Sequence, residues 1–129
     1  MHLGELEKLV LQYLWETDTA DAKQVHAYLR KQRGGSLNTI QSTLDRLFKK
    51  ALLSREKQGH AFQYRAAVDR NTFMGQLIND ITNDFSGSNE NSLLAAFASL
   101  SYSLDESQLD ELERLIDARR SSAKLDGQA

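Results

Sequence analysis

Within twelve residues the chain places Asn38, Thr39, Gln41, Ser42, Asp45, Arg46 and Lys49, a run of amides, hydroxyls and charges. Between them, Ile40, Leu44, Leu47 and Phe48 recur at i, i+4, i+7 and i+8, the spacing of one apolar stripe on a helix. At 100° per residue the polar set lies opposite that stripe, with Gln41 at its margin. Such a face suits the major groove of a duplex. There Asn and Gln pair with adenine edges, Ser and Thr reach either base, and Arg takes guanine or phosphate. An ordinary amphipathic helix with a solvated face has the same period, so the neighbouring elements must decide.

Those neighbours form a compact helical body. Gly4 to Glu16 carries Leu6, Leu9, Val10, Tyr13 and Leu14 at helical spacing, with Glu5 and Glu7 in the first turn, where the helix dipole favours anions. Asp21 is placed to cap a second helix through Lys31, with Ala22, Val25, Tyr28 and Leu29 on its buried side. Gly34-Gly35 breaks that helix, and Ser36 or Asn38 caps the third. Two helices joined by a short glycine-containing turn, the second polar outside, fit a helix-turn-helix.

After Lys50 the period changes to two. Leu52–Lys57 and Ala61–Arg65 flank Gln58-Gly59-His60, a hairpin signature, and a ribbon directly after such a helix is a wing. Phe62 and Tyr64 are expected to pack it on the core, since a hairpin of this size is unstable alone. Arg55, Lys57 and His60 are expected within reach of phosphate. Together with Asn38, Thr39, Gln41, Ser42, Arg46 and Lys49 they complete the candidate DNA-binding set.

From Asp69 onward the sequence offers apolar helical edges and little else. Asp69–Phe85 and Ser92–Leu100 are predicted helices, separated by the polar stretch 86–91. Ser103 and Glu106 match a capping box for a final helix, and Ser121–Ala129 shows no pattern. Helices this short are marginal without packing. Phe73, Leu77, Ile81, Leu93, Phe97, Leu109, Leu112 and Ile116 are therefore expected to pair with a second copy. A monomer whose tail covers its own core is the competing arrangement.

Composition agrees with this division. The chain has 129 residues, 40% hydrophobic and 26% charged, with a net charge of −2. Residues 1–66 carry a net +4 and residues 67–129 a net −6, while residues 30–65 alone reach +7. A basic segment joined to an acidic one points to a polyanion partner for the first. No cysteine is present, which removes disulfides and thiolate metal sites and fits a reducing cytoplasm. No apolar run approaches the roughly 18 residues of a membrane span, and the N-terminus has no signal pattern, so a cytoplasmic location is expected.

Catalytic and metal chemistry find no footing. His2, His26 and His60 are the only histidines, without metal-ligand spacing to a carboxylate. There is no glycine-rich phosphate loop and no G-x-S-x-G. The expectation is no enzyme, no cofactor and no metal.

The residues also resemble the penicillinase-repressor family, with its BlaI/MecI and CopY branches. The likeness begins at Leu3–Trp15 and continues through Gln24-Val25. It is strongest at Asn38-Thr39-Ile40-Gln41-Ser42-Thr43-Leu44-Asp45-Arg46-Leu47, then resumes at Lys50–Leu53 and Gly59–Tyr64. It implies a mainly α fold with a small two-stranded hairpin: a winged helix-turn-helix over residues 1–67 and a helical dimerisation region over residues 68–129.

The resemblance further implies a homodimeric repressor on a pseudo-palindromic operator with TACA/TGTA half-sites. DNA contacts would fall on Asn38, Thr39, Gln41, Ser42 and Arg46, and wing contacts near Lys57 and His60. Ser36-Leu37-Asn38 replaces a Ser-Pro-Lys common in the family, which removes one cation. In antibiotic-responsive members a sensor-linked protease cuts before a phenylalanine in the dimerisation region. The equivalent bond here is Ala96–Phe97, with alanine in place of asparagine. The cysteine cluster of copper-sensing members is missing. Two other functions use the same sequence features: a winged helix that binds protein, and a repressor released by a small apolar ligand among Phe73, Leu77, Phe97 and Leu100.

Overall fold

The computed structural model describes residues 2–33, 35–86 and 90–127. Six helices and three short strands follow in the order α1 (Glu5–Thr17), β1 (Thr19–Ala20), α2 (Ala22–Leu29), α3 (Leu37–Lys49), β2 (Leu53–Gln58), β3 (Ala61–Ala66), α4 (Arg70–Ser86), α5 (Glu90–Ser101) and α6 (Glu106–Gly127). The chain divides into two compact units, residues 1–80 and 81–129.

In the first unit α1, α2 and α3 enclose an apolar core. Val10, Leu11 and Leu14 of α1 meet Val25 and Leu29 of α2 and Ile40, Leu44 and Leu47 of α3, all essentially inaccessible to solvent. Truncating any of these leucines to alanine is expected to cost about 2–5 kcal/mol. Local signals set the helix starts. Asp21 accepts the Gln24 backbone N–H at 2.8 Å while the Gln24 side chain accepts the Asp21 N–H at 2.8 Å, a reciprocal cap. Ser36 Oγ accepts the Thr39 N–H at 3.1 Å.

The end of α3 is built against local preference. Leu52 N–H reaches the Leu47 carbonyl and Ala51 N–H the Phe48 carbonyl, both at 3.0 Å, which is a Schellman closure. That closure needs a left-handed residue, and Ala51 supplies it at φ 64° where glycine is the usual occupant. The wing turn obeys the rule instead. The Gln58–Ala61 pair closes a two-residue loop, and Gly59 takes φ 65° there.

The sheet is three-stranded, in the order β1-β3-β2, rather than a bare hairpin. Thr19 pairs with Arg65 and Ala20 with Tyr64, antiparallel. A two-residue strand carries no periodicity, so it is invisible in the string. Of the two wing aromatics expected on the core, Tyr64 is buried and Phe62 stays 37% exposed. Tyr28 also lies at the surface, its ring stacked on Tyr13 with centroids 4.4 Å apart.

Trp15 ties α1 to the chain beyond the sheet. Its Nε1 donates to the Val68 carbonyl at 2.9 Å, and its ring meets Phe73 at 5.7 Å. Phe73 is thereby buried in the first unit, with Leu77 packed against the same core. Phe73, one of the residues expected at a dimer contact, thus packs within its own chain.

In the second unit α5 and α6 are joined by a tight turn, where Ser103 Oγ donates to the Leu100 carbonyl at 2.7 Å. The cap of α6 is Asp105, not Ser103. Its carboxylate accepts the Gln108 N–H at 2.8 Å, and Gln108 Oε1 accepts the Asp105 N–H at 3.0 Å. The helix runs on to Gly127 through the segment expected to be patternless, because nothing from 121 to 126 breaks a helix. The polar stretch predicted at 86–91 falls partly on 87–89, outside the described residues.

Candidate nucleic-acid interface

Burying Ile40, Thr43, Leu44 and Leu47 fixes the rotation of α3 about its axis. Asn38, Thr39, Gln41, Ser42, Arg46 and Lys49 are consequently exposed, as the periodicity requires. They differ in how far they are committed elsewhere. Thr39 Oγ1 lies 3.0 Å from Ser36 Oγ within the cap. Arg46 donates to Thr43 Oγ1 at 3.1 Å, and Lys49 pairs with Asp45 at 3.0 Å. Thr43 Oγ1 in turn donates to the Thr39 carbonyl at 2.8 Å.

Asp45 sits near the middle of this face, half-buried and acidic among cations. Lys49 on one side and Arg55 on the other, at 3.4 Å, flank its carboxylate. The Lys49 hydrogen bond foremost, with the Lys49 charge and the Arg55 hydrogen bond and charge added, outweighs the loss of solvation and holds that carboxyl below the ordinary aspartate value.

The wing stands beside α3. Arg55 lies opposite Tyr64 and Lys57 opposite Phe62, so these four side chains share one face of the ribbon. Lys57 and His60 are exposed at and near the tip. Arg55 is not: its side chain is 24% exposed, its guanidinium 3.9 Å from the centre of the Phe48 ring and 4.2 Å from that of Phe62.

Between wing and helix lies a groove of about 500 Å³, reached by Gln41, Asp45, Arg55 and His60 and by Asp21 and Lys23 from the first turn of α2. Lys23 is a cation that sequence reasoning missed. The signal available for it was its place in the opening turn of the first helix of the helix-turn-helix. His26 is structural, its Nε2 donating to the Gly35 carbonyl at 3.0 Å.

An ion pair props α3 from below. Lys50 Nζ donates to Glu7 Oε2 at 2.7 Å, and Glu7 Oε1 accepts the Gly4 N–H at 3.3 Å. Burial alone would raise the Glu7 carboxyl. The Lys50 hydrogen bond, the Gly4 N–H and the charges of Lys50 and Arg46 outweigh it and hold the group below its ordinary value. Lys50, the residue that ends α3, is thereby tied to the first turn of α1.

Among the described residues no group of three His, Asp or Glu could hold a metal ion, and no helix is long and apolar enough to cross a membrane. A polar helix face flanked by a cationic ribbon is the arrangement of a winged helix-turn-helix.

The penicillinase-repressor profile matches residues 3–118. The chain belongs to the penicillinase-repressor family. Over 122 residues it is 25% identical to the penicillinase repressor of Bacillus licheniformis, covering 95% of this chain and 94% of that one. It is 24% identical over 117 residues to the methicillin resistance regulatory protein MecI of Mammaliicoccus sciuri, covering 91% and 94%. The solved DNA-binding domain of the repressor BlaI superposes with a TM-score of 0.50 at 30% identity, over 54% of this chain and 84% of that domain. Family membership places the chain among DNA-binding transcriptional repressors, not among enzymes.

Proposed function

We propose that the chain represses transcription as a homodimer bound to a pseudo-palindromic operator. Each α3 would lie in a major groove, with Asn38, Gln41, Ser42 and Arg46 turned to base edges. Lys49, Lys57 and His60 would meet flanking phosphates. The observation that carries this proposal is the solvent-facing row Asn38, Gln41 and Ser42 on α3 beside the exposed Lys57 of the wing. That row serves no packing purpose within the unit. Phosphate neutralisation supplies most of the affinity and base contacts the discrimination, about 1–3 kcal/mol for each good pair.

The second unit supports the dimer. Phe97, Leu100, Leu109, Leu115 and Ile116 leave between 37% and 62% of their surface exposed on α5 and α6. An apolar surface of this kind marks an interface, and a twofold partner would present two recognition helices to a dyad. Repression would end when a signal opens that dimer. If a sensor-linked protease delivers it at Ala96–Phe97, α5 must first unwind, because the bond is helical.

Selection of bound duplexes from a random pool tests the proposal directly. It should return a dyad with half-sites one helical turn apart. If the pool shows no enrichment, or if Arg46→Ala, Gln41→Ala and Lys57→Ala bind every duplex as the parent does, the docking geometry is wrong.

A further inference from the structure

Arg55 has the composition of a phosphate contact and the position of something else. It belongs to β2, yet its guanidinium is enclosed by a ring from α3 (Phe48, 3.9 Å) and a ring from β3 (Phe62, 4.2 Å). Its Nη1 donates to Asp45 of α3 at 3.4 Å. Both rings lie well within the range at which a cation is held by an aromatic face. A planar guanidinium can lie against two rings and still donate in its own plane, which an ammonium cannot do.

We propose that Arg55 is a positioning residue for DNA recognition: it clamps the wing to the reading helix and leaves phosphate contact to Lys57. The proposal rests on the DNA-binding function argued above. A short hairpin has no rigidity of its own; β2 leaves the core at Leu53, and β3 leaves it at the buried Tyr64. The outer part of the ribbon is fixed relative to α3 only if something bridges the two. Arg55 does so from the middle of β2, two cross-strand pairs inward from Lys57 and next to it on the same face.

Swinging Arg55 out to a phosphate would give up both ring contacts. It would also leave Asp45, near the centre of a face meant for a polyanion, with Lys49 as its single cation. The same carboxylate thus anchors the clamp and has its repulsion of DNA removed by it. Lys57, directly across from Phe62 on the same face, is carried to the backbone by whatever angle the clamp imposes.

The test measures affinity against salt concentration for the parent, Arg55→Lys, Arg55→Met and Lys57→Ala, using one selected duplex and one random duplex. Unfolding followed by Trp15 fluorescence establishes that each variant is folded at the assay temperature. Both Arg55 variants should bind the selected duplex about tenfold or more weakly, bind the random duplex nearly as the parent does, and keep the parent's salt slope. Lys57→Ala should instead weaken both duplexes and flatten the log–log slope by about one.

The clamp is overturned if Arg55→Lys binds as the parent does. It is equally overturned if Arg55→Met flattens the slope as Lys57→Ala does, or if both duplexes weaken in proportion to a loss of folded protein. Absence of any duplex preference in the parent would strike the DNA-binding function itself, a different result from failure of the clamp alone.

Discussion

Replacing Lys50 by methionine should destabilise the first unit, by an amount that depends on pH in a defined direction. The lysine ammonium meets Glu7 at 2.7 Å, where the glutamate side chain is 11% exposed and the lysine 35%. Methionine keeps the aliphatic stem and removes the charge, leaving the carboxylate with the Gly4 N–H and the more distant Arg46. Removing one partner of a fully buried pair costs about 3–5 kcal/mol. With Lys50 a third exposed, solvent screens part of that, and about 2 kcal/mol is expected at neutral pH.

The parent Glu7 carboxyl is held below 4.5, the value it has without a partner. The stability it contributes is therefore complete above that pH and disappears as pH falls through the lower folded value. In Lys50→Met burial remains and the lysine does not, so the carboxyl titrates higher than the parent's and the variant loses less stability than the parent as pH falls. The difference between the two proteins should be largest near pH 7 and shrink as pH falls below 4.5.

Urea unfolding read by fluorescence measures this cleanly, because Trp15 is the only tryptophan and lies in the first unit. At neutral pH the midpoint should fall by about 1 M, given a dependence of about 1–3 kcal/mol per molar for domains of this size. A shift below a quarter of that, or one of equal size at pH 3.5 and pH 7, would refute the reasoning and make the pair an ordinary solvated contact.

Ala51→Gly should raise the stability of the first unit by about 0.5–1 kcal/mol, because it removes a left-handed alanine from the cap of α3; a decrease in thermal midpoint would show that the alanine is not strained. Phe97→Asp, at a side chain 41% exposed on α5, should convert the protein to a monomer in sedimentation equilibrium. It should weaken full-dyad binding about 100-fold while sparing a half-site. A dimer of unchanged affinity would remove α5 from the interface.

What was legible in the string was what residues within one turn of each other decide. The caps at Asp21, Ser36 and Asp69 lie three residues from the N–H groups they accept. The rotation of α3 follows from the 3.6-residue spacing of Ile40, Leu44 and Leu47, which bury one face and so expose Asn38, Gln41 and Ser42 on the other. Even among local signals there was competition. Ser103 and Glu106 have capping-box spacing, yet Asp105 with Gln108 took the helix start, since a carboxylate and an amide satisfy the same two N–H groups.

Tertiary structure decided which charges are free to meet a partner. Arg55, Lys50 and Lys57 are equivalent cations in the sequence. Folding encloses the first between two rings, ties the second to a carboxylate 43 positions earlier, and leaves the third exposed. It likewise buries Phe73 against Trp15 while leaving Phe97 partly exposed, although both sit on apolar helical edges. Periodicity states that a face is apolar or charged. What covers that face depends on elements far away along the chain, and only the assembled core brings them within a few ångströms.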